Sequence, residues 1–326
     1  MLTNYPNGVS SFGAPLTGQS IPFAIGVGGV GKTYFVDATN GSDGNDGLSL
    51  ETAVKTVSRA NAIVTSNNHD NIVLSANAAH AITSMLTITK NRVHFIGLDS
   101  RSGYGMGARS RVTMGDSTVA ADIALMQNTG VGNTFTGMKF DSSSTVAASL
   151  YGIAEGGEYS VYNRCEFYKS SDLDETTAAE ILNNGDSTQW LNCTIGSSAN
   201  IVADNKIRPN MSVTATLAGK KCRDNVIDNC VFLTKAGGTE HVDIYGTNAT
   251  DVERLFLVKD TLFYNNLLAA ADPAHAVGFG AAQTEGSVIL KNCTSVSHTV
   301  MAQAAMNIFV DGAVPTFATT GISKAA

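Results

Sequence analysis

The chain is short of charge. Only 15% of its 326 residues are Asp, Glu, Lys or Arg, and the net balance is −7. No cluster of Lys and Arg is present to neutralise a phosphate backbone, which argues against a nucleic-acid partner. Arg101, Arg109 and Arg111 come nearest and read as a solvated Gly-rich loop. No apolar run approaches the roughly 18–20 residues of a membrane-crossing helix, so no membrane span is expected. No basic residue precedes an apolar stretch near Met1, so secretion by a leader of that kind is not expected either. The five cysteines include no CxxC and no nearby Cys/His pair, and the histidines lack ligand spacing. That excludes a zinc site and a disulfide scaffold as first readings, and no cofactor is expected.

What the chain does have is a recurring phrase. It reads Phe135-Thr-Gly-Met138-Lys-Phe140, Tyr162-Asn-Arg-Cys165-Glu-Phe167, Trp190-Leu-Asn-Cys193-Thr-Ile195, Ile227-Asp-Asn-Cys230-Val-Phe232, Val258-Lys-Asp-Thr261-Leu-Phe263 and Leu290-Lys-Asn-Cys293-Thr-Ser295. Aligning Met138, Cys165, Cys193, Cys230, Thr261 and Cys293 gives gaps of 27, 28, 37, 31 and 32 residues. Each copy alternates apolar and polar positions as a half-buried strand does. One such rung cannot bury its apolar face alone, so the copies must stack. They enter in the same direction and their connections are too long for hairpins, so the pairing is predicted parallel with a right-handed crossover. The predicted fold is therefore all-β, a right-handed parallel β-helix spanning about residues 34–300.

Within it, Met138, Cys165, Cys193, Cys230, Thr261 and Cys293 are expected to form a core ladder of small buried groups. The alternative is a bridge between adjacent rungs, Cys165 with Cys193. Cys222 is out of register and is expected to be exposed. Residues 71–98 are read as the first one or two rungs.

Residues 1–33 form a separate unit. Up to Gly31 there is no charged side chain, only glycine, proline and scattered apolar groups. Such a segment neither builds its own core nor is solvated as a disordered tail. We read it as an extended docking arm with Tyr5, Phe12 and Phe23 as anchors, or as an arm folded along its own solenoid. Residues 301–326, nearly as poor in charge, are read as a closing segment that also contacts protein. Gly26-Val-Gly-Gly-Val-Gly31-Lys32-Thr33 matches the phosphate-loop pattern, yet β-prone Tyr34-Phe-Val follows where that motif needs a helix. It is read as a linker.

The stretch from Tyr34-Phe-Val-Asp through Asn40-Gly-Ser-Asp-Gly-Asn-Asp-Gly47-Leu-Ser to Thr56-Val and Ala60 resembles the opening of pectate-lyase-like parallel β-helix proteins. That superfamily includes polysaccharide lyases and hydrolases and many bacteriophage tailspike and virion proteins. Ser49 is expected to cap a helix over about residues 49–65 that plugs the open end of the solenoid. The acidic turn is read as turn chemistry, with calcium as the alternative.

The resemblance implies two functions. One is a non-enzymatic virion structural protein of a tailed phage, decorating the capsid or forming a head fibre, homotrimeric, with other virion proteins as partners and assembled in the host cytoplasm. The other is a tailspike-type depolymerase of a host glycan. For the latter, the candidate carboxylates are Asp172, Asp174 and Glu175, with Glu180 and Asp186 nearby. Arg208-Pro209 matches part of the pectate-lyase signature without its second Arg. His241 and Asp243, two apart on one strand, would form an acid/base pair or a surface ladder contact. Trp190, Tyr159, Tyr162 and Tyr168 are read as a sugar platform or as a stack between rungs.

Overall fold

The structure is a computed structural model. It describes residues 10–11, 14–15, 31–98, 110–171, 175–197, 202, 206–217, 219–236, 238–266, 272–304, 306–311 and 322–324. Tyr5, Phe12 and Phe23, Gly26–Val30 of the phosphate-loop match, and Arg101 and Arg109 lie outside these residues.

Three sheets of 11, 8 and 8 strands wind along one axis; from Asn71–Leu74 to Val300–Ala302 each turn of chain contributes one strand to each sheet, and the first sheet has three further strands at its ends. The first sheet begins with Thr33–Val36 and Asn71–Leu74, the second with His80–Ile82 and the third with Leu86–Ile88. All pairings within them are parallel except the last of the first sheet, where Ile322–Lys324 runs antiparallel to Ile308–Asp311. The fold is thus an all-β parallel β-helix.

Register converts the sequence repeat into columns. Phe135 pairs with Phe95 and Tyr162, and Tyr162 pairs with Trp190. Their rings stack at centroid distances of 5.0, 4.6 and 4.2 Å through the interior behind the first sheet. Ile227, Val258, Leu290 and Val310 continue that column. Phe140 and Phe167 stack at 5.4 Å behind the second sheet and meet the first column edge-on. Of the four aromatics offered as a sugar platform, Trp190 and Tyr162 are therefore core. Offset stacking of this kind adds about 0.5–1.5 kcal/mol per pair beyond burial.

The corner between the first and second sheets explains the rest of the phrase. Gly137, Arg164, Asn192, Asn229, Asp260 and Asn292 sit at φ between 49° and 64°. This left-handed region suits Gly, Asn and Asp better than other residues. At five of these corners the backbone N–H donates to a carbonyl of the next rung, as from Asn192 to Asp228 at 2.9 Å. The next side chain then turns inward: Met138, Cys165, Cys193, Cys230 and Thr261 are buried and Cys293 is half-buried. All five cysteines are free thiols, so the bridge between Cys165 and Cys193 is absent. The thiols of Cys165, Cys193 and Cys230 instead donate to the carbonyls of Phe135, Tyr162 and Trp190 at 3.3–3.4 Å. Cys222 is buried, contrary to expectation. It belongs to the corner between the third and first sheets, where it accepts from Asn225 Nδ2.

At the N-terminal end, helix α1 covers Val57–Ile63 only, shorter than expected, and its cap is Thr56 rather than Ser49. Thr56 Oγ1 accepts from Arg59 N, while Ser49 closes a local turn with Thr52. Ala53 and Val54 are buried in extended chain, with Val54 bridged to Val36. The acidic turn consists of backbone caps: Asp43 accepts from Lys55 N, Thr56 N and Thr56 Oγ1, and Asp46 from Leu48 N and Thr52 Oγ1. Lys32 N donates to Asp70, and Thr33 starts a strand where a phosphate loop would start a helix.

The first rung also holds the far end of the plug. Lys90 Nζ donates to the carbonyls of Asn61, Ala62 and Val64 at 2.6–2.8 Å, satisfying groups that a helix C-terminus leaves open. Lys90→Met keeps the aliphatic stem and removes those donors. It is expected to destabilise the protein by about 1–2 kcal/mol in urea unfolding, with Lys90→Arg recovering most of the loss; equal stability of Lys90→Met and the parent would refute the role.

Candidate functional site

Polar residues gather at the corner between the second and third sheets. The alternation that points Phe140, Phe167, Phe232 and Phe263 inward continues two residues on to Ser142, Lys169, Thr234 and Asn265, all buried. Strands of the third sheet bring Glu180 and, just before Ile244–Gly246, Asp243 to the same corner. Arg208 packs beside them.

Arg208 Nη1 donates to Glu180 Oε1 at 2.9 Å, and Nη2 donates to the Lys169 carbonyl at 3.1 Å. Both side chains of this pair are at most 4% exposed. Burial raises the Glu180 pKa, and Arg208 opposes that shift. Lys169 Nζ, itself buried, donates to the Ser144 carbonyl and Ser171 Oγ. Asp243 accepts from Thr234 Oγ1 at 2.5 Å and His241 Nε2 at 3.1 Å. His298 Nε2 stands 3.0 Å from its other oxygen, an ion-pair distance without hydrogen-bond alignment. Burial works against the Asp243 charge, but His298 and His241 outweigh it and hold the carboxyl well below the usual range. Burial likewise opposes charge on His298, and Asp243 overcomes it, so the imidazole pKa is raised.

The Arg208–Glu180 side of this cluster borders a cavity of about 10 Å³ lined by Lys169, Glu180, Arg208, Asn210 and Thr234 among others, the room of a single water. Ligand clefts run to about 300–1,000 Å³. Among the described residues, this cavity is too small for a sugar ring.

The sequence-derived candidates are thus sorted. Glu180, Arg208, His241 and Asp243, singled out for three separate reasons, lie in one buried seam. Asp172 and Asp174 fall outside the described residues. Glu175 is exposed and accepts from Thr177. Asp186 lies elsewhere, bridged by backbone to Glu158 and Arg223. Lys169, Asn210, Thr234 and His298 were missed, although two residues past the repeated aromatic is a readable signal for Lys169 and Thr234. A second buried carboxylate was missed too: Glu155 accepts from Asn128, Gly157 N, Ser160 and Tyr162, and burial raises its pKa. Among the described residues no group of three or more His, Cys, Asp or Glu side chains is placed to hold a metal ion.

No protein-family model and no curated protein sequence matches this chain. Solved structures do. A pectin methylesterase variant in complex with a hexasaccharide aligns at TM-score 0.56 and 10% identity, over 90% of this chain and 92% of that one. The pectate lyase Pel9A aligns at TM-score 0.55 and 14% identity, over 79% of this chain and 62% of its own length. The Aspergillus niger pectin methylesterase aligns at TM-score 0.54 and 12% identity, over 90% and 91%. At these identities the likeness establishes the fold alone, a right-handed parallel β-helix.

Stability should follow the Asp243–His298 pair with pH. The Asp243 contribution is fully present above the ordinary carboxylate value of 3.8 and is lost as pH falls toward its depressed pKa. The His298 contribution is fully present below 6.5 and is lost as pH rises through its raised pKa. The urea midpoint is therefore expected to be highest between these limits and to fall on either side. Asp243→Asn should flatten both arms, and an unchanged profile would show that the pair is not charged in the fold.

Proposed function

We propose that the protein is a non-enzymatic structural component of a bacteriophage virion, a β-helix that decorates or stabilises the capsid and docks through its uncharged terminal segments as a homotrimer. The observation that carries this reading is the pairing of the buried carboxylates in the seam. Glu180 is paired with Arg208 beside a cavity that holds about one water, and Asp243 lies buried against His241 and His298. Catalysis on a glycan needs two carboxyls facing a bond that can enter between them. Free thiols throughout are in keeping with assembly in a reducing cytoplasm. The charge-free first 31 residues and the resemblance of residues 34–60 to phage and polysaccharide-acting β-helix proteins supply the rest of the reading.

Purified protein is expected to bind particles of its own phage, to sediment as three chains, and to release no reducing or unsaturated sugar ends from host polysaccharide. Release of such ends, abolished by Asp174→Asn, would establish the depolymerase reading instead. Removal of residues 1–31 is expected to leave a β-rich body that no longer binds particles; undiminished binding would discard the arm as the anchor.

A further inference from the structure

Two histidines meet where the N-terminal segment joins the solenoid. His69 Nδ1 lies 3.1 Å from His94 Nε2, the rings are 14° from parallel, and their centroids are 5.4 Å apart. That separation is the distance between the nitrogens plus one ring radius on either side, so the two nitrogens face each other along the line of centres. One carries a proton and donates it, and the other accepts. His94 is buried, and its Nδ1 is engaged in turn by Thr134 Oγ1 at 2.8 Å. A cationic imidazole has N–H on both nitrogens. Two cationic rings would bring N–H against N–H and charge against charge, so the contact survives only while one of them is neutral.

The contact anchors a turn that grips the chain. The His69 carbonyl accepts from Gly31 N at 3.1 Å, and Asp70 accepts from Lys32 N at 2.8 Å and from Thr65 N at 2.7 Å. Gly31 fits so closely that a Cβ there would lie 2.3 Å from the Asn68 carbonyl oxygen. The charged and titratable groups around the pair are Asp70 in the same turn, Tyr34 and Lys90, which both interact with Asp70, and Arg92, which the pairing of Asn71 with His94 brings alongside His69. Burial and then His69 push the His94 imidazole down to about 4, against the opposing pull of Asp70. The closed turn therefore keeps His94 neutral at pH values where a solvated imidazole gains a proton.

We propose that the His69–His94 contact is an acid-released latch: proton uptake by His94 parts the two rings and opens the turn of residues 65–70, releasing the chain at Gly31–Lys32, where the N-terminal segment leaves the body. The opened form binds one proton more than the closed form between the ordinary value of 6.5 and about 4. In that window each unit of acidification favours opening by about tenfold, and above it the latch is insensitive to pH. The latch operates whatever the N-terminal segment binds, so it does not depend on the virion reading.

The test is hydrogen exchange of the full chain at about pH 7 and about pH 5, read by mass spectrometry at peptides covering residues 31–34 and 64–70 and corrected for the intrinsic pH dependence of amide exchange. Protection there is expected to fall about 20-fold on acidification and to end below that of a peptide over Asn225–Asp228, because the turn opens while the body stays folded. His94→Gln, neutral at both pH values, is expected to show no such fall. Ring NMR of the parent protein needs no variant: His94 is expected to be neutral at about pH 5, on the acid side of a solvated imidazole. Unchanged protection at residues 31–34 and 64–70, a turn no less protected than Asn225–Asp228 after acidification, the same fall in His94→Gln, or a cationic His94 beside a still-protected turn would each overturn the proposal.

Discussion

In-register parallel pairing between successive rungs is the constraint on which every other feature of this molecule depends. Once Phe135 pairs with Tyr162 and Tyr162 with Trp190, all other positions of the phrase fall into columns as well. A slip of one residue would send each apolar side chain to the opposite face. The left-handed corner prevents such slips: Asn192 hydrogen-bonds both Asn163 and Asn229, and its neighbour Cys193 turns into the core. The thiols are held there as small apolar groups with a weak donor, and burial raises the pKa of Cys193 and Cys222 and takes that of Cys293 to about 11. They are poor nucleophiles in the fold.

The same regularity accounts for the polar seam. Four strands of the second sheet end by aiming a polar residue, Ser142, Lys169, Thr234 or Asn265, into the corner where the chain bends to the third, and a bend leaves backbone groups without ladder partners. Lys169 and Asn265 answer those groups directly, Lys169 at the Ser144 carbonyl and Asn265 at both the N–H and the carbonyl of Ala236 at 3.0 Å. Charges brought along are paired in place, Arg208 with Glu180 and the histidines with Asp243. A buried network of this kind is most valuable when complete, since each unpaired member would be strongly destabilising. Its chemistry therefore serves the corner.

How much of this could be read from the chain alone depended on locality. The six-residue phrase was legible because strand, left-handed turn and inward thiol are consecutive in sequence. The helix boundary was not, because Thr56 receives its support from Asp43 across a loop, and Ser49 offers an equally good local cap that the turn uses instead. Cys222 was misread for a related reason: it occupies the corner between the third and first sheets, outside the phrase that fixed the alignment. The seam was legible only in fragments, because Lys169, Arg208, Asp243 and His298 are far apart in sequence, lie on different rungs and meet only through stacking.

The claim that one continuous column joins the rungs from Phe95 to Val310 can be tested by unfolding the protein in urea while following two native reporters. Trp190 sits in the middle of the stack and Cys293 near its C-terminal end, so tryptophan fluorescence and thiol labelling read at the Cys293 peptide alone sample separate rungs. A shared core predicts a single transition with the same midpoint for both. Two well-separated midpoints, with Cys293 fully labelled while Trp190 keeps its native emission, would contradict it.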